Sequence, residues 1–228
     1  MNTDNDDFFV EDEPVADVLA RWEEGQKCVT RRPGVTVLIA THPERQTSGL
    51  INRAFASVAA QTLQPVTIII NNDLERKGAG ANRQRLLDMV DTEWTAWIDS
   101  DDEWHDPQHL EKLMRVATET DSVYVFPGFL GHDPLGHFGL PFNPCSPYHT
   151  TMGILERTDI TKEAGFCDSA AEGRFSNEDW FHMVRFSAIC CERGLKMTHL
   201  AERTFTYHQH GQNTSGLPGR SGGDIIIH

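Results

Sequence analysis

The sequence predicts an α/β protein whose mostly parallel sheet is flanked by helices. Between residues 35 and 126, four short apolar runs rich in β-branched side chains are separated by segments of helical periodicity. Continuous apolar runs of this length are typical of strands buried on both faces. Because such strands alternate here with helices, a doubly wound sheet is favoured. Ligands of these sheets bind outside the carboxyl ends of the strands, so polar residues at those ends are the first site candidates.

The chain opens with an acidic extension, residues 1–34, that precedes the first predicted strand. Apolar residues recur in it at helical spacing: Val15, Val18, Leu19 and Trp22. We expect this extension to pack on the main domain or on a partner, and no chemistry is assigned to it.

The regular part of the chain follows. The four predicted strands are residues 35–40, 66–70, 94–98 and 123–126. Two helical stripes lie between them: Leu50, Ala54 and Val58, then Leu86, Leu87 and Val90. A third helix is predicted with Asp106 as its N-cap and Pro107 in its first turn. Its apolar face carries Leu110, Leu113, Met114 and Ala117.

The second half of the chain is less regular. Residues 127–150 read as a long ordered loop containing three histidines, interpreted as ordinary loop residues: His132, His137 and His149. A helix is predicted from about residue 176 to residue 193, with Gly194 as its end and three apolar residues: Phe181, Val184 and Ile189. Two short strands follow at 197–200 and 204–207. Residues 212–228 are predicted to form a flexible C-terminal tail.

Composition excludes several classes of function. The net charge of -14, from 34 acidic and 20 basic residues, argues against nucleic acid as a partner. The five cysteines show no CxxC spacing, which is typical of reduced, buried side chains. No apolar stretch reaches the length of a transmembrane helix, and the N-terminus does not resemble a signal peptide. We therefore expect a cytoplasmic protein without a transmembrane segment.

An acidic cluster follows the third predicted strand directly: Asp99, Asp101 and Asp102, with Ser100 among them. Two carboxylates one residue apart, where the backbone leaves a sheet, can bind one hard divalent cation and leave positions for phosphate oxygens. This DXD pattern suits a nucleoside-diphosphate leaving group. The alternative is an Asp-rich turn, because Asp caps helices and bonds its own backbone. Asp102 and Glu103 fit capping or solvent exposure better than metal binding.

A second acidic pair, Glu178 and Asp179, begins the predicted late helix. The helix dipole stabilises the ionised form of carboxylates there, so one of them could accept a proton from an attacking hydroxyl. The alternative is structural, since Ser176 and Asp179 have the spacing of a capping box.

Eight segments occur in a specific order along the chain: ATHPER (40–45), SVAAQT (57–62), IIINND (68–73), AGANR (79–83), WIDSDD (97–102), GFCD (165–168), NEDW (177–180) and YHQH (207–210). In this order they resemble the family 2 glycosyltransferases of GT-A fold, across roughly residues 35–216. The resemblance implies a Rossmann-like nucleotide-binding sheet in residues 35–127. Residues 128–211 would then form the acceptor-binding and catalytic part of the same domain.

The resemblance implies a nucleoside site on the first two strands. Thr41, Glu44 and Arg45 would lie against the nucleoside, and Asn72 or Asp73 would read the base edge. Family members often carry paired acids after the second strand, where this chain has asparagines before Asp73. Uridine is the first choice of base and guanosine the second.

The resemblance also implies a diphosphate and metal site. Arg83 would sit near the donor diphosphate, and Asp99 with Ser100 would contact the ribose side of the donor. Asp99, Asp101 and His210 would bind Mn²⁺ or Mg²⁺, for which carboxylate oxygens and imidazole are reasonable ligands.

The implied activity is sugar transfer with inversion. Asp179 matches the acceptor-activating base of the family, with Glu178 beside it. No Gln-x-x-Arg-Trp motif follows this pair, so single-sugar addition is favoured over processive synthesis.

Two other classes of function stay open at this point. One is a nucleotidyltransferase that uses the same Asp-x-Asp metal chemistry, and the other is an inactive GT-A scaffold used for binding. The acceptor is also open, and a protein, a saccharide, a lipid-linked saccharide or a small hydroxylated molecule would each fit.

Overall fold

The structure, a computed structural model, describes residues 31–47, 49–130, 153–166 and 178–208. Contacts divide the chain into residues 1–31 and residues 32–228, and the fold described below belongs to the second unit. Its elements in chain order are β1 (Arg32–Thr41), α1 (Pro43–Thr47), α2 (Leu50–Ala59), β2 (Thr67–Asn72), α3 (Ala79–Asp88), β3 (Thr92–Trp97), α4 (His109–Thr120), β4 (Ser122–Leu130), β5 (Leu155–Arg157), α5 (Thr158–Ala164), α6 (Glu178–Arg193) and β6 (Lys196–Thr206).

The strands form one six-stranded sheet in the order β2-β1-β3-β5-β4-β6. Strand β1 pairs in parallel with β2 and β3, and β4 pairs in parallel with β6. The short β5 is antiparallel to both of its neighbours, β3 and β4. The predicted fold class, a mostly parallel sheet flanked by helices, is therefore confirmed.

The core lies between the sheet and its helices. The central residues of β1, Val37, Leu38 and Ile39, are completely buried, as expected for a strand covered on both faces. Helices α2, α3 and α4 contribute Val58, Leu86 and Leu113 and further small or apolar residues to the same cluster. The helical stripes predicted for these segments thus face the core.

Two predicted elements differ from the observed ones in position. Helix α4 begins at His109, three residues after Asp106. The Asp106 side chain nevertheless accepts the Gln108 N–H, as an N-cap does, and its carbonyl accepts the His109 N–H in the turn that precedes the helix. The two short strands expected near the C-terminus are one strand, β6, which pairs irregularly with β4. The residues that interrupt its apolar pattern, from Ala201 to Arg203, are exposed at the edge of the sheet.

The strand β5 and helix α5 were not predicted. In β5, Leu155 and Glu156 are both completely buried, and a buried carboxylate is an exception to the apolar pattern of core strands. Helix α6 also differs from expectation, since Phe181 and Val184 are about 40% exposed. Its buried face instead begins with two polar residues, Glu178 and His182.

None of the described helices has the length and apolar character that a membrane span requires. The predicted loop histidines, His210 and the C-terminal tail lie outside the described residues.

Candidate active site

The carboxyl ends of β1, β2 and β3 lie at the same edge of the sheet, because β1 pairs in parallel with both neighbours. Thr41 ends β1, Asn72 ends β2, and Asp99 follows β3. The Asp73 N–H donates to the Thr41 carbonyl at 2.9 Å, which joins two of these ends. The Thr41 hydroxyl is buried and has no hydrogen-bond partner within the described ranges. This edge therefore offers an unused polar group beside the strand ends.

Asp73 shapes the loop that precedes α3. Its carboxylate oxygens accept the backbone N–H groups of Lys77 and Gly78 at 2.9 and 2.8 Å. The side chain is nearly buried, and each of its two oxygens accepts one backbone N–H of this loop. Asp73, one of the two residues expected to read a base edge, thus has a structural role in this loop.

Glu44 lies at the surface, where its carboxylate contacts the side chains of His42 and Arg76. Its carboxylate is 2.8 Å from His42 Nδ1 and forms an ion pair with Arg76. The hydrogen bond from His42 and the charge of Arg76 lower the pKa of Glu44 to about 2. This carboxylate is therefore ionised at neutral pH.

The Asp101 carboxylate is nearly buried and pairs with a guanidinium. Arg45 Nη1 lies 2.6 Å from Asp101 Oδ1 and 3.5 Å from the Ser100 hydroxyl. A second arginine, Arg53 in α2, donates to the Asp101 backbone carbonyl at 2.6 Å. Ion pairs with this little solvent exposure are short and charge-assisted. Asp101, one of the predicted metal ligands, is thus held by the arginine that was predicted to lie against the nucleoside.

Arg83 joins two acidic residues that are far apart in sequence. Its Nη2 donates to Asp99 Oδ1 at 3.0 Å, and its Nη1 donates to Glu178 Oε1 at 2.5 Å. Burial alone would lower the pKa of Arg83, but the charges of Asp99 and Glu178 raise it above its ordinary value. The guanidinium therefore stays charged and connects the end of β3 to the start of α6.

Asp179 lies next to this ion-pair chain at the start of α6. Its carboxylate accepts a hydrogen bond from the backbone N–H of Trp180 at 2.7 Å. Burial and the adjacent Glu178 charge raise the pKa of Asp179 to about 6, while Arg83 acts in the opposite direction. A carboxylate with such a pKa is mostly ionised at neutral pH and is a better proton acceptor than an ordinary aspartate.

Asp102 is completely buried, so the expectation that it could be exposed to solvent was wrong. One oxygen accepts the His208 N–H at 3.0 Å, and the other has no hydrogen-bond partner among the described residues. Burial and the nearby charges of Asp99 and Asp101 raise the pKa of Asp102 well above its ordinary value. Glu103 is half-exposed and lies 3.1 Å from His208 Nε2.

The described residues contain no group of three His, Cys, Asp or Glu side chains arranged to hold a metal ion. His210, the third predicted ligand, lies outside the described residues. The carboxylates of Asp99 and Asp101 nevertheless supply the oxygen donors that Mg²⁺ and Mn²⁺ prefer. Asp102 is buried next to the charges of Asp99 and Asp101, and one of its oxygens has no hydrogen-bond partner among the described residues, so three acidic groups are crowded where a cation would relieve their repulsion. The chemistry of these residues therefore fits a hard divalent cation.

Three residues at or near the site were not found from the sequence. Arg53 occupies an ordinary helical position, and no motif distinguishes it. Glu156 and His182 form a completely buried pair with 3.0 Å between His182 Nε2 and Glu156 Oε1. The spacing of His182 four residues after Glu178 was the available signal, because it puts both side chains on the same helix face.

Comparison with known proteins adds two matches in sequence. The family model described as glycosyl transferase family 2 matches residues 73–167. A protein of Bacillus subtilis (strain 168) named "Putative glycosyltransferase EpsH" is 30% identical over 116 residues, which cover 40% of this chain and 33% of that protein. The chain thus spans about a third of this relative's length.

Solved structures share the fold. The structure of S. aureus TarS 1–349 in complex with UDP-GlcNAc superposes with a TM-score of 0.60 at 14% identity, covering 81% of this chain and 61% of that chain. The mannosyltransferase PcManGT from Pyrobaculum calidifontis, in complex with GDP-Man and Mn²⁺, gives a TM-score of 0.55 at 13% identity, covering 87% of this chain and 66% of that chain. At these identities the likeness concerns the arrangement of the sheet and its helices.

Proposed function

We propose that this chain is a family 2 glycosyltransferase that moves a single sugar from a nucleoside-diphosphate sugar to an acceptor hydroxyl, since residues 73–167 match the family model and solved glycosyltransferases share its GT-A fold. The transfer inverts the anomeric carbon and uses a divalent cation. The observation that carries this proposal is the Arg83 bridge, which connects Asp99 at the proposed donor site to the acidic pair that begins α6. It brings the proposed donor-binding and base-bearing elements to one site.

The donor is proposed to bind at the carboxyl ends of β1 to β3. Thr41, Glu44 and Arg45 would lie against the nucleoside, and Asn72 or Asp73 would read the base edge, while Asp73 also shapes the adjacent loop. Asp99 and Ser100 would contact the ribose side. A UDP-sugar is the first choice and a GDP-sugar the second, and the two structural neighbours solved with UDP-GlcNAc and GDP-Man support a nucleoside diphosphate in general.

A Mn²⁺ or Mg²⁺ ion is proposed to bind Asp99, Asp101 and His210. Such a cation absorbs the charge that develops on the diphosphate as the glycosidic bond breaks. Arg45 is paired with one oxygen of Asp101, so its guanidinium would compete with the ion for this carboxylate. Arg83 keeps Asp99 in place by the same type of contact.

Asp179 is proposed as the general base. Its carboxylate takes the proton of the acceptor hydroxyl as that oxygen forms the new bond to the anomeric carbon. The bond between the anomeric carbon and the diphosphate breaks, and the nucleoside diphosphate leaves with the electron pair. Glu178 is bonded to Arg83 in a buried ion pair, so its proposed contribution is to hold this arginine while Asp179 handles the proton.

The experiment is a product assay with UDP-GlcNAc, UDP-glucose and GDP-mannose in the presence of Mn²⁺ or Mg²⁺. Water or an added acceptor can take the sugar, so the expected product is free nucleoside diphosphate. Release of pyrophosphate would instead indicate the nucleotidyltransferase alternative. Absence of any metal-dependent nucleotide affinity in calorimetry would support the inactive scaffold.

A further inference from the structure

Two chains of side-chain contacts connect the end of β3 to the start of α6. The first, which we call the site bridge, is Asp99–Arg83–Glu178. The second, which we call the buried bridge, is Trp97–Glu156–His182. In it, Trp97 Nε1 donates to Glu156 Oε2 at 3.0 Å, and His182 Nε2 lies 3.0 Å from Glu156 Oε1.

The two bridges join neighbouring residues of the same two segments and differ in solvent exposure. Trp97 precedes Asp99 by two residues along the chain, and His182 follows Glu178 by four residues, about one helical turn. Glu156 and His182 are completely buried, whereas the Asp99 side chain in the site bridge is 24% exposed. The buried bridge therefore lies deeper and repeats the same connection between the two elements.

The hydrogen bonds of the buried bridge show how many protons His182 and Glu156 share. His182 Nδ1 is 2.9 Å from the Gly165 carbonyl, which can only accept, so Nδ1 carries a proton. One further proton lies between His182 Nε2 and Glu156, on either the imidazole or the carboxyl group. In both cases the pair has no net charge, and every polar atom that it buries has a partner. Such a pair can remain in the core without a counter-ion.

Other contacts hold α6 against the end of α5 at the same level. The His182 ring stacks on Phe166 with 4.2 Å between ring centroids. Arg185 donates to the carbonyls of Ala164 and Gly165. Glu156 differs from these contacts because it comes from β5, the strand next to β3, and bonds to both β3 and α6. It is thus placed to set the distance between them.

We propose that Glu156 is a positioning residue that, through Trp97 and His182, sets the distance between the Asp99–Asp101 cluster and Asp179. This inference rests on the proposed function, because the distance matters if Asp179 is the base. It goes beyond that function by assigning a role to a strand residue that touches neither donor nor acceptor. What the bridge requires is the geometry of two hydrogen bonds, and no net charge is needed.

Two substitutions separate geometry from charge. Glu156→Gln keeps both bonds, since the amide oxygen can accept from Trp97 and the amide nitrogen can donate to a neutral His182. Glu156→Leu has a similar size but removes both bonds. His182→Gln is a second disruptive variant, which keeps a polar side chain and cannot reach both Glu156 and Gly165.

The activity test uses whichever of UDP-GlcNAc, UDP-glucose and GDP-mannose the wild type turns over fastest. We expect Glu156→Leu to lower kcat by about 10- to 100-fold, because small displacements of reacting groups have effects of that size. Glu156→Gln is expected to stay within about threefold of wild type, and nucleotide affinity with Mn²⁺ is expected to change by less than about threefold in both variants. In an Asp179→Asn background, Glu156→Leu should cause no further loss.

Hydrogen exchange of the first two turns of α6 tests the same inference without turnover. Glu156→Leu and His182→Gln should accelerate exchange there, and Glu156→Gln should not. Unchanged exchange in both disruptive variants would overturn the inference, and so would a parallel loss of kcat and nucleotide affinity. If the wild type releases no nucleoside diphosphate from any donor, the proposed function fails, while the exchange result still decides whether Glu156 holds α6 in place.

Discussion

At the scale of single residues, Asp179 has the sharpest proposed role. Asp179→Asn keeps the size of the side chain and its acceptance of the Trp180 N–H but removes the proton acceptor. We expect nucleotide affinity to stay close to that of wild type and the transfer rate to fall by about 100-fold or more, the usual contribution of a general base. Calorimetry with UDP and Mn²⁺ and a rate measurement with a UDP-sugar check the two parts. Transfer at the wild-type rate would exclude Asp179 as the base.

The raised pKa of Asp179 predicts a pH dependence. The base works only when ionised, and the ionised fraction falls as the pH drops below about 6. We therefore expect kcat to be level above this pH and to decrease about tenfold per pH unit well below it. Nucleotide binding measured over the same range separates loss of the base from loss of the donor site. A flat kcat profile down to about pH 4.5 would contradict the raised pKa, because a carboxylate with a pKa of about 6 is almost fully protonated at that pH.

The ion pair between Arg45 and Asp101 predicts that Arg45 affects Mn²⁺ affinity and nucleotide affinity in opposite directions. Because its guanidinium neutralises Asp101, Arg45→Ala removes one cation from the proposed metal ligand. We expect the affinity for Mn²⁺ alone to increase several-fold and the affinity for UDP with Mn²⁺ to decrease. The matched control is Arg115→Ala, which changes the net charge equally at an exposed position of α4. Equal changes in Mn²⁺ affinity in both variants would indicate a general charge effect and contradict a specific role for Arg45.

At the scale of elements, the sequence reveals those whose apolar pattern is continuous. The central strand β1 and the helices α2 to α4 follow such patterns, so they were predictable. Strand β5 was not, since its three residues include Glu156, and the partners that allow this carboxylate to be buried come from β3 and α6. The late helix α6 was found, but its buried face was misassigned for the same reason.

The turn before β5 predicts a large effect of a small substitution. Gly153 has a φ of +71°, and a Cβ added there would lie 2.6 Å from Phe205 Cδ1. Gly153→Ala should therefore combine backbone strain with a clash in the core and lower the free energy of unfolding by about 2–4 kcal/mol. Gly194→Ala is the control, since Gly194 has a similar φ of +64° with nothing within 4 Å of the added carbon. That variant should lose only about 1–2 kcal/mol in urea unfolding. Equal losses in the two variants would show that Phe205 yields without penalty.

At the scale of the whole molecule, the candidate site was predictable as a set of acids but not as a set of pairs. Asp99, Asp101 and Glu178 stand out in sequence through their positions after a strand and before a helix. Their partners Arg45, Arg53 and Arg83 carry no signal that tells which acid each one contacts, because those pairings depend on how distant elements pack. The cytoplasmic location and the role of His210 stay predictions, the latter outside the described residues.

The proposed function also predicts a change in the stability of the whole domain on binding. A ligand that binds only the folded state stabilises it by about 2.7 kcal/mol at 100 times its Kd, which corresponds to a rise in Tm of about 5–10 °C for a domain of this size. We expect this rise with UDP and Mn²⁺ together and a much smaller one with either alone, since the cation is proposed to join Asp101 to the diphosphate. Asp101→Ala should abolish the combined shift, whereas Asp179→Asn should retain it, because the base is not needed for donor binding. A full shift with UDP in the presence of a chelator would show that the donor binds without a divalent cation, and a full shift in Asp101→Ala would remove this residue from the metal site.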